Sequence, residues 1–231
     1  MKHYNHIFFD LDRTLYDFDR SAEETFRFLF NKHISPIQPA FDFAAFYSVY
    51  KKINDDLWDR YRKNLVTKEF LKYERFIATL NSVGIYDQEL AKSIANEYVA
   101  TGPMHRYIFP YTLEILEYLS GKYKIHILTN GFSEVQYKKA ETTGISKFID
   151  QFITSEEAGV NKPNVDAFVF ALKKAGASPE ESIMIGDDAE VDISGAAKAG
   201  MDTVWFNPLH ANSEIKATYE ISSLLELKEI F

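Results

Sequence analysis

Ile7-Phe8-Phe9 is an apolar run that closes on Asp10-Leu11-Asp12-Arg13-Thr14-Leu15. An unbroken run of β-branched and aromatic residues reads as a buried strand, and two carboxylates one residue apart then fall where that strand ends. Taking a carboxylate out of water costs several kcal/mol unless it is paired, hydrogen-bonded or bound to a cation. In open α/β sheets ligands bind just beyond the carboxyl ends of the strands. This strand end is therefore the candidate active site, and the remaining chain is read as what it brings there.

A chain of 231 residues that is 46% hydrophobic can bury the core of one large domain, or of one domain with an insertion. Cysteine is absent, which excludes disulfides, thiolate catalysis and cysteine zinc sites. A formal net charge of -8 argues against a nucleic-acid polymer or an anionic membrane as the main partner. A small phosphorylated ligand fits that charge, because one lysine, a metal ion and a few N–H groups can hold a phosphate locally. The first six residues carry no apolar signal-peptide core, and no later stretch approaches the ~20 apolar residues of a membrane helix. A soluble cytoplasmic protein is expected.

After the opening motif, Ser21 and Glu24 have the spacing of a capping box for a helix running to about His33. Ser35-Pro36-Ile37-Gln38-Pro39 breaks it. From Phe41 to Thr101 aromatic and aliphatic residues recur at three and four spacings, as in Phe43, Phe46, Tyr47 and Tyr50. Asn81-Ser82-Val83-Gly84 marks a turn and Asp87 a further helix cap. From about Pro110 helix and strand alternate, which predicts a parallel sheet with helices on both faces. Strands are expected at Lys124-Ile125-His126-Ile127-Leu128, Gln151-Phe152-Ile153-Thr154, Ile183-Met184-Ile185 and Thr203-Val204-Trp205-Phe206. Capping boxes are expected at Ser133 with Gln136, at Ser178 with Glu181 and at Ser223 with Glu226. The simplest architecture joins residues 1–16 and 108–231 into one α/β core domain, with residues 17–107 inserted as a helical cap placed to act as a lid.

Three expected strand ends carry polar residues: Asp10 and Asp12, Thr129 and Asn130, Asp187 and Asp188. Lys162-Pro163 lies in a loop between them. Right-handed crossovers in a parallel sheet bring such ends to one side. Each element alone has a structural explanation: Asp-x-Asp as a turn, Thr-Asn-Gly as a turn, Lys162 as a solvated loop lysine, Gly186-Asp187-Asp188 as a helix cap. Their joint occurrence, each after a strand and in this order, favours a site.

Phe9-Asp10-Leu11-Asp12-Arg13-Thr14-Leu15, Leu128-Thr129-Asn130-Gly131, Asn161-Lys162-Pro163 and Gly186-Asp187-Asp188-Ala189-Glu190-Val191-Asp192 resemble the four motifs of the haloacid dehalogenase-like hydrolase superfamily. Ile127 to Phe132, Ser155 to Val160 and Asn54-Asp55-Asp56-Leu57-Trp58 resemble its pyrimidine 5'-nucleotidase branch. The resemblance implies a Rossmann-like core with a five-stranded parallel sheet in the order 5-4-1-2-3. It implies Asp10 as the nucleophile that forms an aspartyl-phosphate, and Asp12 as the acid that protonates the leaving oxygen and later deprotonates water. Thr129, Asn130 and Lys162 would bind the phosphoryl group, with Thr129 and Lys162 also counted as catalytic. Mg2+ would be held by Asp10, the main-chain carbonyl of Asp12 and Asp187. Arg13 stands where many relatives carry glycine.

The substrate implied is a small phosphate monoester, a pyrimidine nucleoside monophosphate, with Trp58 and Tyr61 able to stack on a base or equally able to be core. A sugar-phosphate phosphatase, a phosphomutase and a non-catalytic binding protein on the same fold remain as alternatives. A dehalogenase would need neither the second acid Asp12 nor a metal ligand at Asp187.

Overall fold

The structure is a computed structural model that describes residues 3–231; Met1 and Lys2, at the start of the expected core domain, lie outside the described residues. In chain order the elements are β1 (His6–Phe9), α1 (Phe18–Leu29), α2 (Phe43–Arg62), α3 (Lys68–Ser82), α4 (Gln88–Thr101), α5 (Thr112–Ser120), β2 (Lys124–Thr129) and α6 (Ser133–Thr143). There follow β3 (Gln151–Thr154), α7 (Ser155–Ala158), α8 (Val165–Ala175), β4 (Ser182–Gly186), α9 (Gly195–Lys198), β5 (Asp202–Phe206), β6 (Tyr219–Ile221) and α10 (Leu227–Ile230). The chain divides into two compact units, Met1–Phe18 with Arg106–Phe231, and Asp19–His105.

The first unit is built on a sheet whose strands, among the described residues, run in the order β3-β2-β1-β4-β5-β6, every neighbouring pair parallel. The first five strands stand in the expected order. The sixth is a correction: β6 adds three residues beside β5, pairing Val204 with Tyr219 and Phe206 with Ile221. β1 sits between β2 and β4, aligned Phe9 to Ile127 and Phe9 to Ile185, so its end and theirs lie side by side.

Strands buried on both faces need apolar residues at every position, and alternate side chains then serve two cores. Ile7, Phe9, Ile125, Ile127, Ile183, Ile185 and Val204 pack on one face with Leu116 and Leu119 of α5, Ala140 of α6 and Leu227 of α10. Phe8, Leu128 and Met184 pack on the other with Phe168 and Leu172 of α8 and Ala196 of α9.

The second unit is all helical and has its own aromatic core, in which Phe26, Phe30, Phe46, Tyr50, Phe76 and Tyr98 are buried. Phe26 and Tyr50 rings lie 4.1 Å apart and Phe76 and Tyr98 rings 5.4 Å apart. The side chains of Asp42, Thr67 and Asp87 cap α2, α3 and α4 by accepting from Ala45, Phe70 and Leu90 N–H. Ser21 does not cap a helix: α1 begins at Phe18, and Ser21 Oγ, inside it, donates to the carbonyl of Gly102. The boxes at Ser178 with Glu181 and at Ser223 with Glu226 are present.

At the amino ends of β1 and β2, His6 Nδ1 and His126 Nε2 lie 2.9 Å apart and their rings stack. Burial holds the His126 imidazole down to about 4 from its ordinary 6.5, and the neighbouring His6 adds repulsion. Between those two values the unfolded chain takes up a proton that the folded chain refuses, so stability falls as pH drops from about 6.5 to about 4. That share amounts to up to about 3 kcal/mol. His126→Gln should flatten the loss of unfolding free energy between pH 7 and pH 5 relative to the parent protein; equal losses in both would contradict the buried neutral pair.

Candidate active site

The apolar run of β1 ends at Phe9, and Asp10 is the first residue past it, fixed to the neighbouring strand by its N–H on the carbonyl of Ile185 at 2.9 Å. Its carboxylate, in a residue only 8% exposed, meets Lys162 Nζ at 2.7 Å. The same ammonium donates to Asp192 Oδ1 at 2.6 Å and to the carbonyl of Leu128 at 2.7 Å. An ammonium has three N–H groups, and here each has a partner. Lys162 is 1% exposed, so it acts on Asp10 and on anything bound there through its charge rather than through a further hydrogen bond.

Several local features hold this lysine. Asn130, at the end of β2, donates from Nδ2 to the carbonyl of Lys162 at 2.9 Å and accepts the N–H of Lys162 at 2.8 Å. A side-chain amide used at both ends in this way fixes the loop to the strand. Asp192 Oδ2 accepts the N–H of Asp188 at 3.2 Å. A Cβ on Gly186 would stand 2.3 Å from that Asp192 carboxylate oxygen, so the last residue of β4 has to be glycine for Asp192 to come so near. Asp188 itself caps the following turn, accepting from the N–H groups of Glu190 and Val191.

Asp187 follows β4, with Trp205 Nε1 on its carbonyl at 2.8 Å and the buried Thr14 hydroxyl donating to its Oδ1 at 3.3 Å. Carboxylate oxygens of Asp10, Asp187 and Asp192 all lie within 4.8 Å of one another. Burial pushes the Asp10 carboxyl up to about 7 against the pull of Lys162, with Asp192 and Asp12 adding repulsion. Burial, then Asp10 and Asp192, likewise raise Asp187 well above the ordinary carboxylate range, and burial raises Asp192. Three carboxylates are thus crowded together, and two of them share one ammonium. Hard oxygen donors with surplus negative charge suit a divalent cation such as Mg2+. Both oxygens of Asp192 are engaged by protein donors, which leaves Asp10 and Asp187 as the side chains best placed to ligate.

Asp12 is held apart from this cluster. The turn after β1 reverses through Arg13, whose φ of 64° is left-handed backbone that glycine adopts freely and arginine at a cost of roughly 1–2 kcal/mol. Its guanidinium stacks 5.0 Å over the ring of Phe18. Asp12 Oδ1 meets Lys139 Nζ at 2.5 Å and Asp12 Oδ2 accepts from Gln136 Nε2 at 2.9 Å. Gln136 Nε2 also donates to Thr129 Oγ1 at 2.7 Å, and the N–H of Gly131 reaches that hydroxyl at 3.2 Å.

Asp10, Asp12, Thr129, Asn130, Lys162 and Asp187 therefore gather at the ends of β1, β2 and β4. Two further residues were hidden in the sequence. Gln136 reads there as the partner of Ser133 in a capping box, yet Ser133 does not cap α6: its N–H donates to Glu156 Oε1 at 3.1 Å, its Oγ pairs with Thr154 Oγ1 at 2.8 Å, and Gln136 turns inward to the acid. Lys139 is three residues on, on the same face of the helix. The only sequence signal for this pair is its spacing after Thr129-Asn130-Gly131.

With this geometry in place, the relatives can be compared. Residues 4–200 match the pattern of the family described as haloacid dehalogenase-like hydrolase. The chain is 34% identical over 229 residues to the pyrimidine 5'-nucleotidase YjjG of Escherichia coli strain K12, an alignment covering 97% of this chain and 96% of that one. It is 31% identical over 204 residues to a glyceraldehyde 3-phosphate phosphatase of Methanothermobacter thermautotrophicus, covering 87% and 84%. A crystal structure of YfnB from Bacillus subtilis, bound to magnesium, superposes with a TM-score of 0.90 at 29% identity over 99% of both chains. The chain belongs to the haloacid dehalogenase-like hydrolase family.

The raised Asp187 carboxyl carries a test on the metal-free protein. Below the ordinary carboxylate value of 3.8 its contribution is fully present, and it is lost as pH rises and the folded state resists ionising. In EDTA at pH 8, Asp187→Asn should therefore melt above the parent protein, by about 2–4 °C for a chain of this size. The gap should narrow toward pH 4. A lower Tm for the variant at pH 8 would mean that Asp187 is a structural acceptor and not a strained carboxylate.

Proposed function

We propose that this chain hydrolyses phosphoric monoesters, and that its substrates are pyrimidine nucleoside 5'-monophosphates. The observation that supports this most is the pairing of two differently held carboxylates, Asp10 on Lys162 at 2.7 Å and Asp12 on Lys139 and Gln136. One is placed to attack and the other to move a proton.

Asp10 attacks phosphorus in line, the P–O bond to the alcohol breaks, and Asp12 gives its proton to the departing oxygen. Water then attacks the aspartyl-phosphate while Asp12 takes one of its protons, and Asp10 is released with phosphate. Splitting hydrolysis this way replaces one hard displacement by two easier ones. Thr129 Oγ1 already accepts two hydrogen bonds, so its own O–H is the group left to donate to a phosphoryl oxygen, beside the main-chain N–H of Asn130. Asp10, Asp187 and the main-chain carbonyl of Asp12 would hold Mg2+, which when bound offsets charge between the substrate phosphate and the nucleophile.

The choice of a pyrimidine nucleotide draws on the similarity to YjjG and on the Asn54 to Trp58 stretch of α2. Trp58 and Tyr61 are half-buried, with rings edge to face at 5.6 Å. The similarity to a glyceraldehyde 3-phosphate phosphatase favours a sugar phosphate as the second reading.

Phosphate release from UMP, dUMP, dTMP, purine nucleotides and sugar phosphates decides between them. Release should need a divalent metal, stop in EDTA, favour the pyrimidine nucleotides and fall by about 10³-fold or more in Asp10→Asn. Trp58→Ala should lower kcat/KM for UMP by about 5- to 100-fold relative to a phosphate ester without a base, the worth of one base stack. A flat panel would defeat the nucleotide reading, and turnover persisting in Asp10→Asn would defeat the mechanism.

A further inference from the structure

We infer that Lys139 and Gln136 are positioning residues for the proton-transferring acid, and that α6 aims Asp12 at the leaving oxygen. The inference rests on the phosphatase reading above and names two side chains that make it work.

Lys139 is not an ordinary surface lysine. It is 4% exposed, and its ammonium lies 4.9 Å from the ring centre of Tyr16 and 5.0 Å from that of Phe18. Aromatic faces solvate a cation partly, and the remaining cost of burial is met only by a specific anion. Asp12 Oδ1 is that anion, 2.5 Å away. Gln136 is 1% exposed and takes the other carboxylate oxygen. Its amide orientation follows from its neighbours, since the reverse would set Oε1 against the carboxylate. Oε1 itself has no partner, a sign that the amide is arranged for Asp12 and Thr129 and not for its own satisfaction.

Each carboxyl oxygen has two lone-pair sites. Lys139 takes one on Oδ1 and Gln136 one on Oδ2, which fixes the plane of the group and leaves one site on each oxygen for the travelling proton. Gln136 also bonds Thr129 Oγ1 at 2.7 Å, so the acid and the phosphate-binding hydroxyl are locked in a single frame. A Cβ on Gly131 would lie 2.0 Å from Gln136 Nε2, so the glycine of the Thr-Asn-Gly turn makes room for that amide.

A residue that acts through the acid affects substrates according to how much protonation their leaving group needs. UMP expels an alkoxide and depends on the proton; p-nitrophenyl phosphate expels a stable phenolate and depends on it little. Asp12→Asn should lose about 10²-fold or more in kcat on UMP and at least about 10-fold less than that on p-nitrophenyl phosphate. Lys139→Met should reproduce this leaving-group bias, Lys139→Arg should restore most of the UMP rate, and Lys139→Met should add little in the Asp12→Asn background. Gln136→Leu, which keeps the volume, tests the same bias should Lys139→Met not fold.

Equal losses on both esters, or additive losses in the double variant, would overturn the assignment while leaving the phosphatase reading intact. No leaving-group bias in Asp12→Asn would overturn the acid reading and this inference with it. A parent protein that releases phosphate from neither ester would overturn the phosphatase reading itself.

Discussion

Lys162 Nζ lies 2.7 Å from Asp10 Oδ1, 2.6 Å from Asp192 Oδ1 and 2.7 Å from the carbonyl oxygen of Leu128, in a place 1% open to water. Burying these charges costs several kcal/mol each, and their attraction offsets this only because every N–H of the ammonium has a partner. Against the pull of burial, Asp10 and Asp192 hold Lys162 in its charged form, above the range of an ordinary lysine. Loss of the ammonium would leave two carboxylates buried side by side. Much of the surrounding backbone exists to keep it there: the Asn130 amide on the Lys162 loop, the bare Gly186 under Asp192, and the alignment of β1 between β2 and β4.

The second acid is treated differently. Asp12 is two residues from Asp10, but its carboxylate faces Lys139 and Gln136 of α6, and the chain then turns through the left-handed Arg13. Each acid has its own lysine, one fully surrounded by sheet and one under aromatic rings. Two carboxylates in unlike settings can take unlike roles, one as nucleophile and one as acid and base. Meanwhile the crowding of Asp10, Asp187 and Asp192 is a destabilising arrangement that a bound cation would relieve.

Much of this was legible in the sequence, for reasons that particular residues make clear. Ile7 to Phe9 and Ile183 to Ile185 are apolar at every position, and Ile125 to Leu128 at every position but His126, because both faces are covered, and such runs stand out. Asp10, Thr129 and Asp187 follow from those runs because a parallel sheet brings its ends together, whereas Lys162 lies in a loop and stood out only through the resemblance of Asn161-Lys162-Pro163 to a family motif. β6 escaped notice because only Ile221 of its three residues is buried, too little to make a pattern. Ser21 and Ser133 misled because capping-box spacing is a local signal. At Ser133 a distant acid outbid it, drawing Gln136 inward. Lys139 could not be found from spacing alone, since its partner lies 127 positions away along the chain.

The most direct test of this account is to stop turnover with acid while UMP is saturating and to locate any phosphoryl group on the protein by mass spectrometry. The account expects one acid-stable, base-labile phosphoryl group, on Asp10. Phosphate released with no such group on Asp10, or with the group on another residue, would contradict it.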